Sequence, residues 1–329
     1  MIGKPIVIAH RGASGERPEH TATAYRLAIA QGADAVEPDL VPTRDGVLVC
    51  RHENELSGTT DIAARPEFAG RRTSKTIEGR EHAGWFSEDF TLAELKTLRC
   101  RERLPQLRPA SAAFDGAEPM LTFDELLDLL AEEGARVRRE IAVYAEIKHA
   151  AYFDSIGLSH DVPMLAAFEA RGWRDAMAPV LLQSFEVGNL ERLAQKTRVR
   201  CVQLLAPFGG PPDRPGLKYA DMLGDEGLAR IARYAQAISV EKSMIVPRAP
   251  DGASLAPTDF VPRAHRAGLA INAWTFRPEN MFLPTERRSG ADPAAHGDLA
   301  AELRQHFALG LDGAFCDFPG AGVAARDGA

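Results

Sequence analysis

Eight short apolar runs recur along the chain, at Ile6–Ala9, Ala35–Val41, Ala142–Ile147, Val180–Leu182, Cys201–Leu205, Ala237–Val240, Ala270–Trp274 and Gly313–Cys316. Helical patterns fill intervals between them, at Thr21–Gln31, Thr122–Glu133, Pro163–Arg171, Val187–Lys196, Asp225–Gln236 and Phe260–Ala267. Such alternation implies parallel strands joined by helical crossovers, because parallel neighbours cannot be linked by a tight turn. Eight units of this kind predict a closed (β/α)8 TIM barrel of the α/β class, with an open doubly wound sheet as the alternative.

The chain has 329 residues. A barrel of this type uses about 250, which leaves room for an insertion within a single domain spanning 1–329. Residues 53–119 carry no strand of the parallel series and hold aromatics at Phe68, Trp85, Phe86 and Phe90. They read as an inserted subdomain or lid at the C-terminal face of the barrel, where barrel enzymes accept insertions. One more apolar run, Val47–Cys50, follows the second strand after only Thr43-Arg44-Asp45-Gly46. That connection is too short for a parallel crossover, so an antiparallel hairpin is expected, returning His52 toward the second strand's end. Phe208–Leu217 and Pro278–Gly297 read as irregular rim loops.

Charge narrows the partners. The net charge is -7, with acids and bases interspersed, so nucleic acid is not expected as a partner. The four cysteines are far apart, and Cys50, Cys201 and Cys316 sit in apolar runs, which predicts buried free thiols. No apolar run reaches the ~18 residues of a membrane span, so no membrane insertion is expected. The first residues show no leader pattern, since Ile6–Ala9 already reads as a core strand. A cytoplasmic location is the expectation for the chain as it stands, and a periplasmic or secreted one if a leader has been removed. No motif assigns an oligomeric state.

Chemistry concentrates at strand ends. The first strand ends in Ala9-His10-Arg11-Gly12, a His and an Arg where barrel active sites lie. The second carries Glu37-Pro38-Asp39, and side chains two apart on a strand share a face. Two carboxylates pointing into an apolar barrel are costly without a neutralising cation, and an all-oxygen set suits Mg2+ or Ca2+. The alternative is an exposed edge strand with solvated acids, which the apolar flanks Ala35, Val36, Leu40 and Val41 oppose. Glu146 and Lys148 repeat the device on a later strand, as a third carboxylate with a phosphate-binding cation or as an internal salt bridge. His52 and His10 together supply groups for acid–base work near neutral pH. Gln183 and Trp274 also stand at strand ends, the first as a donor to substrate, the second as a pocket wall or core residue. No GxSxG elbow, phosphate-binding GxxxxGK[ST] loop, HExxH or GxGxxG signature competes.

Taken together these residues resemble the glycerophosphodiester phosphodiesterase family. His10-Arg11-Gly12 and Pro18-Glu19-His20-Thr21 match its opening signature. Glu37/Asp39, Thr43-Arg44-Asp45-Gly46, His52, Thr59-Thr60-Asp61, Glu146/Lys148 and Asp317-Phe318-Pro319 follow in family order. Many members have Asn at the position of His20, whereas the larger, periplasmic-type subfamily has His; Glu53 stands where members usually have Asp. The resemblance implies a divalent cation (Mg2+ or Ca2+) on Glu37, Asp39 and Glu146, with His10 and His52 as the acid–base pair. It further implies phosphate contacts from Arg11 and Lys148, substrate contacts from Gln183 and Trp274, and an insertion over the barrel mouth that helps bind glycerol. The expected activity is hydrolysis of a small-molecule glycerophosphodiester to sn-glycerol 3-phosphate and an alcohol. A lysophospholipase D-like enzyme on the same barrel, whose relatives generally lack the insertion, is the alternative. A barrel that binds without catalysis should have lost some of these residues, and all are present.

Overall fold

The computed structural model describes residues 4–328. Eight parallel staves close a barrel. The first is β1 (Ile6–His10), and the second is broken into β2 (Ala35–Glu37) and β3 (Asp39–Pro42). A sharp turn at Thr43–Gly46, with Gly46 at φ +78°, leads to β4 (Leu48–Cys50), which runs antiparallel to β3. The hairpin expected from the short connection is therefore present. Outside the barrel lie β5 (Thr73–Ile77) and β6 (Arg80–Gly84), an antiparallel pair. The remaining staves are β7 (Ala142–Ile147), β8 (Val180–Ser184), β9 (Arg200–Leu205), β10 (Ala237–Glu241), β11 (Ala270–Phe276) and β12 (Gly313–Cys316). β1 pairs with β12 on one side and β2 on the other, while β2 and β3 both pair with β7, so the ring closes.

The second stave breaks where Pro38 has no N–H to give the ladder. Register survives the break: Val36 faces Val143 and Asp39 faces Glu146, three residues on along each strand. One predicted helix ends early. The pattern at Asp225–Gln236 forms a helix only over Asp225–Ile231, because Gln236 is recruited to β9, donating its N–H to Cys201 O at 2.9 Å and accepting from Cys201 N at 2.9 Å. Two helices beyond the predicted set, Leu299–Ala308 and Pro319–Asp327, complete the outer ring near the C-terminus.

Apolar burial is layered. Ile8, Ala35, Tyr144, Leu181, Val202, Ala237 and Phe315 fill the barrel interior, and a larger cluster lies between staves and helices. Because side chains alternate, four of these interior residues are followed two positions on by an inward polar one: Ile8 by His10, Ala35 by Glu37, Tyr144 by Glu146 and Leu181 by Gln183. The barrel floor is thus apolar and its C-terminal mouth is charged. Residues 53–119 build a third cluster of their own, in which Leu56, Ile62, Phe68, Trp85, Phe90 and Leu98 pack on Val41 and Val49 of the hairpin and on Phe153. All four cysteines are buried and free. Among the described residues, no helix is long and apolar enough to cross a membrane.

Candidate active site

Three carboxylates meet at the mouth. One oxygen from each of Glu37, Asp39 and Glu146 lies within 4.8 Å of the others, and all three side chains are buried. The stave pairing dictates this: Asp39 sits opposite Glu146, and Glu37 shares the Asp39 face two residues earlier. Burial, then repulsion from Asp39 and Glu146, pushes the Glu37 carboxyl well above its ordinary range. Burial likewise raises Glu146, to about 7. Asp39 goes the other way. Burial opposes its ionisation, but Arg11, His52, Lys148 and a hydrogen bond from His20 hold it well below the usual carboxylate range.

Two cations interleave with these acids. Arg11 Nε stands 3.0 Å from Asp39 Oδ2, and Lys148 Nζ lies 2.7 Å from Glu146 Oε1 and 3.7 Å from Asp39 Oδ1. The Glu146–Lys148 ion pair anticipated from their shared face is therefore formed. Asp39 Oδ1 finds no hydrogen-bond partner among the described residues. The backbone bends to bring Arg11 here: Arg11 and Gly12 take φ of +62° and +84°, and Arg11 N donates to Glu37 O at 2.9 Å. A Cβ on Gly12 would lie 2.7 Å from Ala24 C, so only glycine fits this bend.

Each candidate histidine is backed by a carboxylate. His10 Nδ1 lies 2.6 Å from Asp317 Oδ1, and His52 Nδ1 lies 2.5 Å from Glu53 Oε1. An ionised carboxylate only accepts, so Nδ1 carries the proton in both rings and Nε2 is left as the second, available nitrogen. Burial, followed by the charge of Arg11, lowers His10 to about 4 despite the opposing pull of Asp317. Burial, then Arg11 and Lys148, lowers His52 to about 3.

His10, Arg11, Glu37, His52, Glu146, Gln183 and Trp274 line one cavity of ≈ 440 Å³. Asp39 and Lys148 do not line it; Lys148 instead borders a neighbouring cavity that shares Glu146 and Phe185. Gln183 Nε2 donates to Glu37 Oε1 at 3.4 Å. Trp274 both lines the cavity and packs, its ring edge-on to Phe185 at 5.9 Å and its Nε1 donating to Ser239 O at 3.3 Å.

Several site residues had no role in the sequence reading. Asp317, quoted from the sequence only as part of the Asp317-Phe318-Pro319 match, follows β12, and its position at a stave's C-terminal end is a signal that could have given it a role. Besides His10 it accepts from Arg108 Nη2 and Arg277 Nε, each at 2.6 Å. His20 donates or accepts at Tyr25 Oη (2.8 Å) and meets Asp39 Oδ2 at 3.1 Å. Glu19 accepts from Arg11 Nη1 at 3.1 Å and from Arg103. Arg103 and Arg108 come from the insertion, where nothing in an Arg-rich stretch marks them out.

The model of the glycerophosphoryl diester phosphodiesterase family matches residues 10–321. Glycerophosphodiester phosphodiesterase GDPD6 of Arabidopsis thaliana is 32% identical over 332 residues, covering 97% of this chain and 85% of the relative. The glycerophosphodiester phosphodiesterase of Haemophilus influenzae is 26% identical over 353 residues, covering 98% and 90%. Among solved structures, a glycerophosphoryl diester phosphodiesterase from Silicibacter pomeroyi superposes with a TM-score of 0.69 at 20% identity, covering 98% of this chain and 93% of that one. An Oleispira antarctica phosphodiesterase, solved with the product sn-glycerol-3-phosphate, gives 0.65 at 20% identity over 98% and 97%. At those identities the structures support the fold, a TIM barrel. With the family model spanning nearly its whole length, the chain belongs to the glycerophosphoryl diester phosphodiesterase family.

Proposed function

We propose that the protein hydrolyses glycerophosphodiesters to sn-glycerol 3-phosphate and an alcohol, using a divalent cation and a histidine acid–base pair. One observation carries this reading: three buried carboxylates converge, and two of them, Glu37 and Glu146, share one cavity with two carboxylate-backed imidazoles. The activity in the names of the relatives, and the product bound in the Oleispira structure, support the same substrate class.

The acids fit a cation. Glu37 resists ionisation beside Asp39 and Glu146, and Asp39 Oδ1 is buried without a hydrogen-bond donor. Glu37, Asp39 and Glu146 would hold the ion, and an all-carboxylate set selects a hard one such as Mg2+ or Ca2+. Such an ion supplies electrostatic stabilisation of charge developing on phosphoryl oxygens.

The chain's own groups do the rest. Arg11 opens onto the cavity and binds a phosphate oxygen, while Lys148, paired with Glu146 and close to Asp39, keeps the acids in place and adds positive potential behind them. His10 accepts at Nε2 the proton of the attacking hydroxyl, either the glycerol 2-hydroxyl or water. His52 gives a proton from Nε2 to the leaving alkoxide as the phosphorus–oxygen bond breaks. Attack by the 2-hydroxyl yields a cyclic phosphate, which water opens with the two imidazoles exchanging roles. Both rings are neutral in the free protein, and the anionic phosphodiester beside His52 favours the protonated ring that the acid step requires. Gln183 and Trp274 orient and wall the substrate.

The insertion, residues 53–119, serves in this reading as a subdomain at the barrel mouth that favours a soluble substrate over a lysophospholipid. Rates on glycerophosphocholine and lysophosphatidylcholine test that choice. Faster turnover of glycerophosphocholine is expected, and a preference for the lysophospholipid would reverse the assignment.

A further inference from the structure

Both histidine–carboxylate pairs are completed by the same short piece of chain. Arg103 grips Glu53, the partner of His52, with Nη1 at 2.9 Å and Nη2 at 2.7 Å. Its Nε and Nη2 also hold Glu19 at 2.7 and 2.6 Å, and Glu19 in turn holds Arg11. Five residues on, Arg108 binds Asp317, the partner of His10, through Nη2 at 2.6 Å. Its Nε reaches Glu279 at 2.6 Å and its Nη1 reaches Ser14 O at 3.1 Å. Arg108 and Asp317 are buried, and Glu279 is fully so.

The piece between them is built to hold still. Buried Glu102 accepts from Leu104 N at 2.8 Å and Ser111 Oγ at 2.5 Å, and Arg108 N donates back to Leu104 O at 2.9 Å. A guanidinium is a rigid, permanently charged fork that binds carboxylate oxygens in fixed directions. Fixing the carboxylate fixes the ring it accepts from, in tautomer and in orientation. Glu53 follows a loop rather than a stave, so its other anchor matters more: among the described residues, Arg103 is the one cation paired with it.

We infer that the insertion is part of the acid–base apparatus, Arg103 being the positioning residue for His52 and Arg108 for His10. The two arginines therefore act on opposite ends of the reaction. This rests on the proposed function, with His10 as base and His52 as acid.

Leaving-group dependence separates the two roles. The full-length protein would be assayed on glycerophosphocholine, whose alcohol needs a proton to leave, and on the p-nitrophenyl ester of sn-glycerol 3-phosphate, whose phenolate does not. Arg103→Ala should lower kcat on the choline ester on the order of 10- to 100-fold, as loss of an outer-sphere partner does, and should slow the p-nitrophenyl ester distinctly less, by the part of the loss that passes through Glu19 to Arg11. Arg108→Ala should lower both rates alike. Added guanidinium should restore part of the Arg103→Ala loss. His52→Ala and His10→Ala run beside them as references. If His52→Ala itself fails to discriminate between the esters, the acid assignment falls, and with it the proposed mechanism. If His52→Ala discriminates and Arg103→Ala does not, the positioning inference is overturned while the mechanism stands. Should Arg103→Ala not fold, Glu53→Gln breaks the same link from its other end, and the same split between esters is expected of it; equal rates on both esters relative to wild type would overturn the inference.

Discussion

His10 Nδ1 and Asp317 Oδ1 lie 2.6 Å apart and join the ends of the first and last barrel staves. The backbone pairing of Ala9 with Cys316 sets up that contact one residue earlier. Barrel closure and orientation of a candidate catalytic ring are thus one structural event. Asp317 also collects Arg108 and Arg277. Replacing it by Asn should cost about 3 kcal/mol of stability, the range for breaking a buried ion pair. Urea unfolding would show this as a lower midpoint, accompanied by a fall in kcat; an unchanged midpoint would mean that the buried arginines do not need the charge.

His10→Ala and His52→Ala should each reduce turnover by about 10²- to 10⁴-fold, the usual contribution of a general acid or base. Neither side chain belongs to the hydrophobic clusters, so circular dichroism should report a native fold. Near-wild-type rates in either variant would refute the pairing.

The largely buried His10 ring gives a pH signature in stability. Its folded-state value is lowered to about 4 from 6.5, so between those values the unfolded chain binds the proton and the folded chain does not. Stability from this group is complete above pH 6.5 and falls as pH drops toward 4. The raised carboxyls of Glu37 and Glu146 act with opposite sign, so the test is a difference from His10→Gln, in which they largely cancel. Wild type should lose ground to His10→Gln on acidification across that window, as read by urea unfolding. A constant difference would show that the ring titrates normally.

Most of the frame could be read from residue order. Staves such as Val180–Ser184 are apolar enough to declare themselves, and the two-residue spacing of Glu37 and Asp39 already demanded a shared face. The break at Pro38 followed from a missing N–H, which a run of apolar letters conceals. Gln236 looked helical because local pattern carries no record of Cys201, its partner in space. The same reason hid Arg103 and Arg108. Their meaning lies in carboxylates 50 and 209 positions away, brought within reach only by closure of the barrel and docking of the insertion.

Glu37 should trade stability for function. It is held beside two other acids; Arg11 N donates to its Oε2 at 3.1 Å and Gln183 Nε2 to its Oε1 at 3.4 Å, and the single amide oxygen of a glutamine could keep one of the two contacts. At a pH high enough to ionise this raised carboxyl, Glu37→Gln should therefore stabilise the cation-free protein by about 1 kcal/mol, since removing an uncompensated buried charge is favourable. Scanning calorimetry in chelator should show a Tm rise of roughly 2 °C, while titration calorimetry should show loss of divalent-cation binding. A lower Tm would mean that the three acids are not in conflict.

The convergence of Glu37, Asp39 and Glu146 on one cation beside His10 and His52 is tested most directly by sn-glycerol 3-phosphate release from glycerophosphocholine after exhaustive chelation. The account predicts no release from the stripped protein and recovery on adding Mg2+ or Ca2+, with Glu146→Gln failing to recover. Full turnover by protein shown by elemental analysis to be free of metal would contradict it.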